Sequence, residues 1–188
     1  YMNHKENAYV DIEQLYKNKE GLLVLSGGNN SILKYSNSNN ITLQSASFVA
    51  DFKKEFIDNF YIEIQRIEGN DYRIDEEVIL NLAYDNNIPV VATNDVYFEG
   101  PDHFEAHDAL MCIEKKLFVS QKDRKRLSKN HYFKSQNEMQ ELFSDIPEAL
   151  FNTIEIAQRC SHRPKIKMPV LPSYDNDDSQ EKKLLREL

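Results

Sequence analysis

The apolar run Leu22-Leu23-Val24-Leu25, closed by Gly27 and Gly28, predicts a strand over residues 22–26, buried on both faces and ending in a turn. Over residues 42–59, Leu43, Ala46, Phe48, Val49, Phe52 and Phe56 fall mainly three or four apart, the spacing of an amphipathic helix. Phe60-Tyr61-Ile62-Glu63-Ile64-Gln65 then switches to β-favouring side chains. Helical spacing returns over residues 74–87 with Ile74, Val78, Ile79, Leu82 and Ala83, and Pro89-Val90-Val91-Ala92-Thr93 supplies another short apolar strand. Strand, helix, strand, helix, strand with short links is the pattern of parallel βαβ units, so the first half is α/β.

Beyond Asn94 the pattern is helical only. Residues 101–116 carry Phe104, His107, Ala109, Leu110 and Ile113 on helical spacing. Ser135 with Glu138 forms a capping box ahead of Met139, Leu142 and Phe143. Pro147, behind Asp145, opens a helix toward Cys160. Residues 164–178 hold three of the six prolines and an acidic run, the composition of a linker, and residues 181–188 read as the start of a further helix. The expected organisation is therefore an α/β part over residues 1–99, a helical connector over 100–163, and a linker with a helix start over 164–188. Three strands do not close a barrel. The chain reads as cut at both ends, with a sheet edge exposed to aggregation unless the helical half covers it.

Charge narrows the functional classes. The 188 residues hold 31 acidic and 23 basic side chains, a formal charge of -8, which disfavours a compact free-standing nucleic-acid-binding module. No apolar run approaches the roughly 20 residues that span a bilayer, and Tyr1-Met2-Asn3-His4-Lys5 has no signal-like apolar core, so the expectation is a cytoplasmic chain without a membrane partner. Cys112 and Cys160 lack CxxC spacing and are expected to be buried, reduced thiols.

In parallel α/β folds, ligands bind where the carboxyl ends of strands meet loops and helix N-termini. Three segments qualify: residues 26–31, 65–69 and 94–98. Ser26-Gly27-Gly28-Asn29-Asn30-Ser31 lacks a Walker lysine and the GxGxxG spacing, and reads as a turn. Asn94-Asp95-Val96-Tyr97 places a hard carboxylate where a histidine two residues on would complete a metal-binding pair, but Tyr97, a neutral phenol at pH 7, stands there instead. Gln65-Arg66-Ile67-Glu68 offers an isoleucine and a fixed cation, leaving Glu68 as the potential ligand. His103 and His107 share a helix face, yet the intervening Phe104-Glu105-Ala106 is not an HExxH motif, so His107 is expected to pack and His103 to be solvated. Lys122, Arg124, Lys125, Arg126 and Lys129 form the dense basic stretch, more often a solvated loop but the natural place for a phosphate or DNA contact.

Several blocks carry a family resemblance. Glu20-Gly21-Leu22-Leu23-Val24-Leu25-Ser26-Gly27-Gly28, Phe60-Tyr61-Ile62-Glu63-Ile64-Gln65-Arg66 and Pro89-Val90-Val91-Ala92-Thr93-Asn94-Asp95-Val96-Tyr97-Phe98 resemble successive blocks of the bacterial replicative DNA polymerase III alpha-subunit family. Tyr132-Phe133-Lys134-Ser135 and the following Glu138-Met139, Leu142-Phe143, Asp145-Ile146-Pro147-Glu148-Ala149, Asn152-Thr153, Ile156-Ala157 and Arg159-Cys160 are similar to the segment leading to that family's palm.

The resemblance implies that residues 1–99 are the C-terminal part of a polymerase and histidinol phosphatase (PHP) domain, a distorted β/α barrel, followed by the helical connector. It places a His-x-His metal motif upstream and the magnesium-binding palm aspartates downstream, leaving no cofactor in this segment. Metal-binding members carry histidines at the positions of Ile67 and Tyr97 and often a cysteine at Gly28, while Asp95 is retained. Losing imidazoles at two strand tips should abolish a polynuclear site. The chain is thus similar to the branch whose PHP domain is a metal-free scaffold, with Glu63, Asn94 and His107 structural. Implied partners are the rest of the alpha chain, the proofreading exonuclease subunit, the replicase holoenzyme, and DNA through the parent chain. The competing expectations are an active metal-dependent phosphoesterase or exonuclease, and an independent DNA-binding module built on the basic stretch.

Overall fold

The computed structural model describes residues 9–28, 33, 43–67, 76–124 and 126–166. Six helices and three strands alternate in the order α1 (Ile12–Lys17), β1 (Val24–Leu25), α2 (Leu43–Phe56), β2 (Phe60–Gln65), α3 (Glu76–Asp85), β3 (Val90–Thr93), α4 (Phe104–Lys115), α5 (Gln136–Leu142) and α6 (Pro147–Arg159). The α/β reading holds. The strands form one parallel sheet in the order β1-β2-β3, with Leu25 opposite Tyr61 and Ile62 opposite Val90.

The central strand β2 is the most hidden because it is hydrogen-bonded on both sides. Phe60, Ile62 and Ile64 alternate onto one face and meet Val49, Phe52 and Phe56 of α2, Ile79 and Ala83 of α3, and Phe143, Ile146 and Ala149 near α5 and α6. The three-and-four spacing along α2 stacks its rings: Phe48 and Phe52 lie 4.1 Å apart, Phe52 and Phe56 5.5 Å, and Phe60 joins at 5.6 Å from Phe52. Such ring pairs add roughly 0.5–1.5 kcal/mol each beyond the area they bury.

β1 is shorter than predicted. Only Val24 and Leu25 pair with β2, and both are half-buried instead of covered on two faces. Gly21 and Gly27 stand at φ 74° and 80°, conformations open to glycine that turn the backbone away on either side of the pair.

The outer edge of β3 is covered by the helical half. The Ile62 N–H takes the Pro89 carbonyl, so the next carbonyl, that of Val90, points away from β2. There the Asn152 Nδ2 of α6 donates to it at 2.7 Å. A second link runs from Tyr61, whose hydroxyl donates to Glu155 at 3.0 Å and accepts from Arg159 at 2.7 Å.

The helices after β3 follow the sequence pattern with two corrections, at the start of α4 and at Cys160. Residues 101–103 form a 3-10 turn before α4 begins at Phe104, and Lys116 closes α4 in the left-handed region at φ 55°. Pro147 opens α6 as expected; Ile146 holds the N-cap position without a side-chain bond, and Asp145 turns to Arg66. Cys112 is buried as predicted; Cys160, past the last helical turn, is exposed. The Ser135 capping box is complete, and the Ser135 and Tyr132 hydroxyls hold the Glu138 carboxyl down to about 2. The linker expected over residues 164–178 and the helix start after it lie outside the described residues beyond Ile166.

Candidate functional site at the strand tips

The described parts of the three segments, residues 26–28, 65–67 and 94–98, lie at the carboxyl ends of the strands, and polar links among neighbours close that end. Glu63 and Gln65 point to the same side of β2, as alternate residues must. Gln65 Nε2 donates to Glu63 Oε1 at 3.0 Å and to Thr93 Oγ1 at 3.1 Å, and the Thr93 hydroxyl donates to Glu63. This triad explains Gly28: a Cβ there would stand 2.0 Å from Gln65 Cδ, so a larger residue requires Gln65 to swing out of its links. Ser26 stitches β1 to β2 by accepting the Glu63 N–H at 3.0 Å on its hydroxyl oxygen. Glu63 thus bonds through its side chain to Gln65 and Thr93 and through its backbone N–H to Ser26.

Arg66, read from sequence only as a cation hostile to metal, is the main tie at the β2 tip. Its Nη1 donates to Asp145 at 2.6 Å and to the Leu142 carbonyl at 2.5 Å, its Nε and Nη2 grip Glu76, and the guanidinium lies 4.9 Å from the Phe143 ring centre. Hydrogen bonds to Asp145 and then Glu76 raise its pKa further, so it stays charged, while its proton donation holds the Asp145 carboxyl below the usual carboxylate range. Planar donors reaching three segments at once are what a guanidinium supplies and an ammonium does not. Ile67, the next residue, is half-buried and has no ligating atom, and Glu68 lies outside the described residues.

At the β3 tip, Asn94 donates to the Tyr132 carbonyl at 2.6 Å and accepts from Lys134 at 3.3 Å. Backbone bonds from Tyr97 N to His131 O and from Phe133 N to Phe98 O lay residues 131–133 alongside residues 97–98. His131, to which the sequence gave no role, is thereby carried into the site and buried to 1%. Its Nδ1 stands 3.2 Å from the Ser128 N and 3.1 Å from the Ser128 carbonyl oxygen, and its Nε2 lies 3.9 Å from Asp95 Oδ2. The Tyr97 ring sits 5.7 Å from the rings of both His107 and His131. His107, half-buried, also packs 5.5 Å from Phe98, as expected of a packing histidine, and His103 is exposed. The backbone pairing of two distant segments is a signal that single-sequence periodicity does not carry.

Asp95 has the His131 imidazole near it, and among the described residues no three His, Cys, Asp or Glu side chains stand together as a ligand set.

The basic stretch divides. Arg124 is 4% exposed and grips Asp108, also 4% exposed, through both guanidinium nitrogens, so it is not available to an external phosphate. That bond lowers the Asp108 pKa. Arg126 meets Glu105 at 3.1 Å and Asp108 at 3.2 Å and covers the Phe104 ring. Lys122 and Lys129 are exposed, and Lys125 lies outside the described residues. A dense charge run in sequence thus becomes internal pairing at two arginines and open surface at two lysines.

Among the described residues, no helix is long and apolar enough to cross a membrane. No protein-family model matches the chain. It is, however, 40% identical over 164 residues to the DNA polymerase III subunit alpha of Caulobacter vibrioides, a span covering 87% of this chain and 14% of that relative. The Rickettsia bellii DNA polymerase III subunit alpha is 35% identical over 178 residues, 95% of this chain and 15% of the relative. That of Vibrio cholerae is 36% identical over 170 residues, 88% of this chain and 14% of the relative. The chain therefore spans about 15% of the length of relatives such as that of Rickettsia bellii. By this likeness along nearly its whole length, the chain belongs to the DNA polymerase III alpha-subunit family, of which it represents one short stretch.

Proposed function

We propose that this stretch is a non-catalytic scaffold within a replicative DNA polymerase: a PHP-type unit that works without metal, holds the start of the connector to the palm, and offers a surface to the proofreading exonuclease. DNA synthesis belongs to the parent chain, with magnesium held in its palm. The observation that carries this reading is the closure of the strand tips by internal links. Glu63, Gln65 and Thr93 bond to one another, Arg66 ties the β2 tip to α3 and to the turn before α6, and Asn94 holds the segment after the basic stretch. A catalytic phosphoesterase needs open, correctly placed ligands at those tips; this end of the sheet uses its polar groups to join the α/β part to the helical connector.

The test uses the full-length polymerase purified without chelator. Elemental analysis should find no manganese, zinc or iron bound in stoichiometric amount by the PHP region, and Asp95→Ala should leave primer extension unchanged. Two or more bound transition-metal ions per chain, together with manganese-dependent phosphoesterase turnover that Asp95→Ala removes, would replace the scaffold with the active enzyme. Exonuclease docking is tested separately, by loss of co-elution on size-exclusion chromatography when the PHP region is deleted from the alpha chain.

A further inference from the structure

Beside the closed strand tips, α4 and the chain after the basic stretch leave a cleft of about 130 Å³. Its floor is apolar, with Met111 and Leu127, and its polar lining comes from Tyr97, His107, Lys115 and Arg126. Water occupies about 30 Å³ per molecule in the liquid, so the space suits one small polar group in place of a few waters.

Among the described residues, the Tyr97 hydroxyl, the His107 ring nitrogens and the Lys115 ammonium make no hydrogen bond or ion pair. Arg126 engages Glu105 and Asp108 through Nη2 alone, leaving Nη1 and Nε without a partner there. The carboxylate that also lines the cleft, Asp108, is matched by the two-nitrogen grip of Arg124. Counting Lys115, Arg124 and Arg126 against Glu105 and Asp108 leaves a local excess of one positive charge in a chain of net charge -8.

We propose that this cleft binds a phosphate group of a nucleotide or of a nucleic-acid strand, through Tyr97, His107, Lys115 and Arg126. The donors come from three separate segments: the β3 tip, α4 and the basic stretch itself. A tetrahedral phosphate offers oxygens in as many directions. A carboxylate offers two coplanar oxygens, best met by a free guanidinium fork, and the fork of Arg126 is already partly taken by Glu105. Tyr97 stands at the rim, 45% exposed, where its ring face can stack a base attached to the phosphate. This site is independent of the scaffold reading: it involves no metal and none of the links that close the tips.

The test is lysine acylation of the full-length polymerase, read residue by residue by mass spectrometry. It is run with inorganic phosphate, with a deoxynucleoside 5′-monophosphate, and with a short single-stranded oligonucleotide. The neighbouring Lys116, exposed and outside the cleft, is the internal reference. Once a probe exceeds its dissociation constant about twofold, Lys115 should react about threefold more slowly by simple occupancy, with Lys116 unchanged. Protection by phosphate and the monophosphate supports the site with a free nucleotide as its source; protection by the oligonucleotide alone supports it with a strand as its source. Arg126→Gln should weaken the protection about threefold, and Arg126→Lys, which keeps the pairing to Asp108, should restore part of it. Equal slowing of Lys115 and Lys116, or no slowing with any probe, overturns the proposal, and that measurement needs no variant.

Discussion

Replacing Arg66 with methionine removes the charge and the fork while keeping an unbranched side chain of comparable reach. Two carboxylates, Glu76 and Asp145, and the Leu142 carbonyl lose their donor together. Net contributions of charge-assisted hydrogen bonds run to roughly 1.5–3 kcal/mol each but do not add when one group supplies them all. Breaking a fully buried pair costs about 3–5 kcal/mol. Arg66 is 19% exposed, Glu76 33% and Asp145 61%, so solvent screens part of the charge left behind. The working value for Arg66→Met is therefore about 2–3 kcal/mol, which for a chain of this size lowers the melting temperature by roughly 5–10 °C.

The assay is thermal unfolding by far-UV circular dichroism for the wild type, Arg66→Met, Arg66→Lys and Asp145→Asn. Arg66→Lys should recover less than half of the loss, since an ammonium cannot reach all three acceptors in the guanidinium geometry. Acid sharpens the test. The Asp145 carboxyl is held below its ordinary 3.8 in the folded chain, so its share of the stabilisation is fully present above pH 3.8 and lost as pH falls through the lower folded value. Arg66, raised, remains charged throughout. The wild type should thus lose the Asp145 share of its advantage over Arg66→Met as pH falls below 3.8. A melting temperature for Arg66→Met within about 1 °C of wild type at neutral pH, or full rescue by lysine, would refute the three-way tie.

Other expectations follow from single contacts. Asn152→Ala strips the outward Val90 carbonyl of its donor and should cost about 1–2 kcal/mol, with increased light scattering on heating as the β3 edge opens. Ser135→Ala should cost about 1 kcal/mol through the lost N-cap, and the link between Ser135 and Glu138 should weaken only as pH falls below 4.5 toward about 2, because the folded carboxyl is depressed. A thiol reagent should modify Cys160 rapidly and Cys112 only on unfolding; equal rates in the native chain would contradict the burial difference.

The local pattern was enough for the order of elements from β1 onward and for the parallel sheet, while the short helix α1 before it was not read. Phenylalanines three or four apart can share one side only on a helix, and apolar residues in short runs between helical stretches pair as buried strands. The capping box and the proline at the start of α6 were equally readable, since both bonds and both sterics lie within a few residues. What periodicity could not supply was the meeting of residues far apart along the chain. Arg66 finds Asp145, Arg124 finds Asp108, His131 slides in beside Tyr97, and Asn152 covers the β3 edge. Each depends on how helices pack against the sheet, where charge cost is settled by burial and by a partner across space. That is why a run of basic residues became an internal pair plus open lysines, and why Asp145 anchors a strand tip through Arg66.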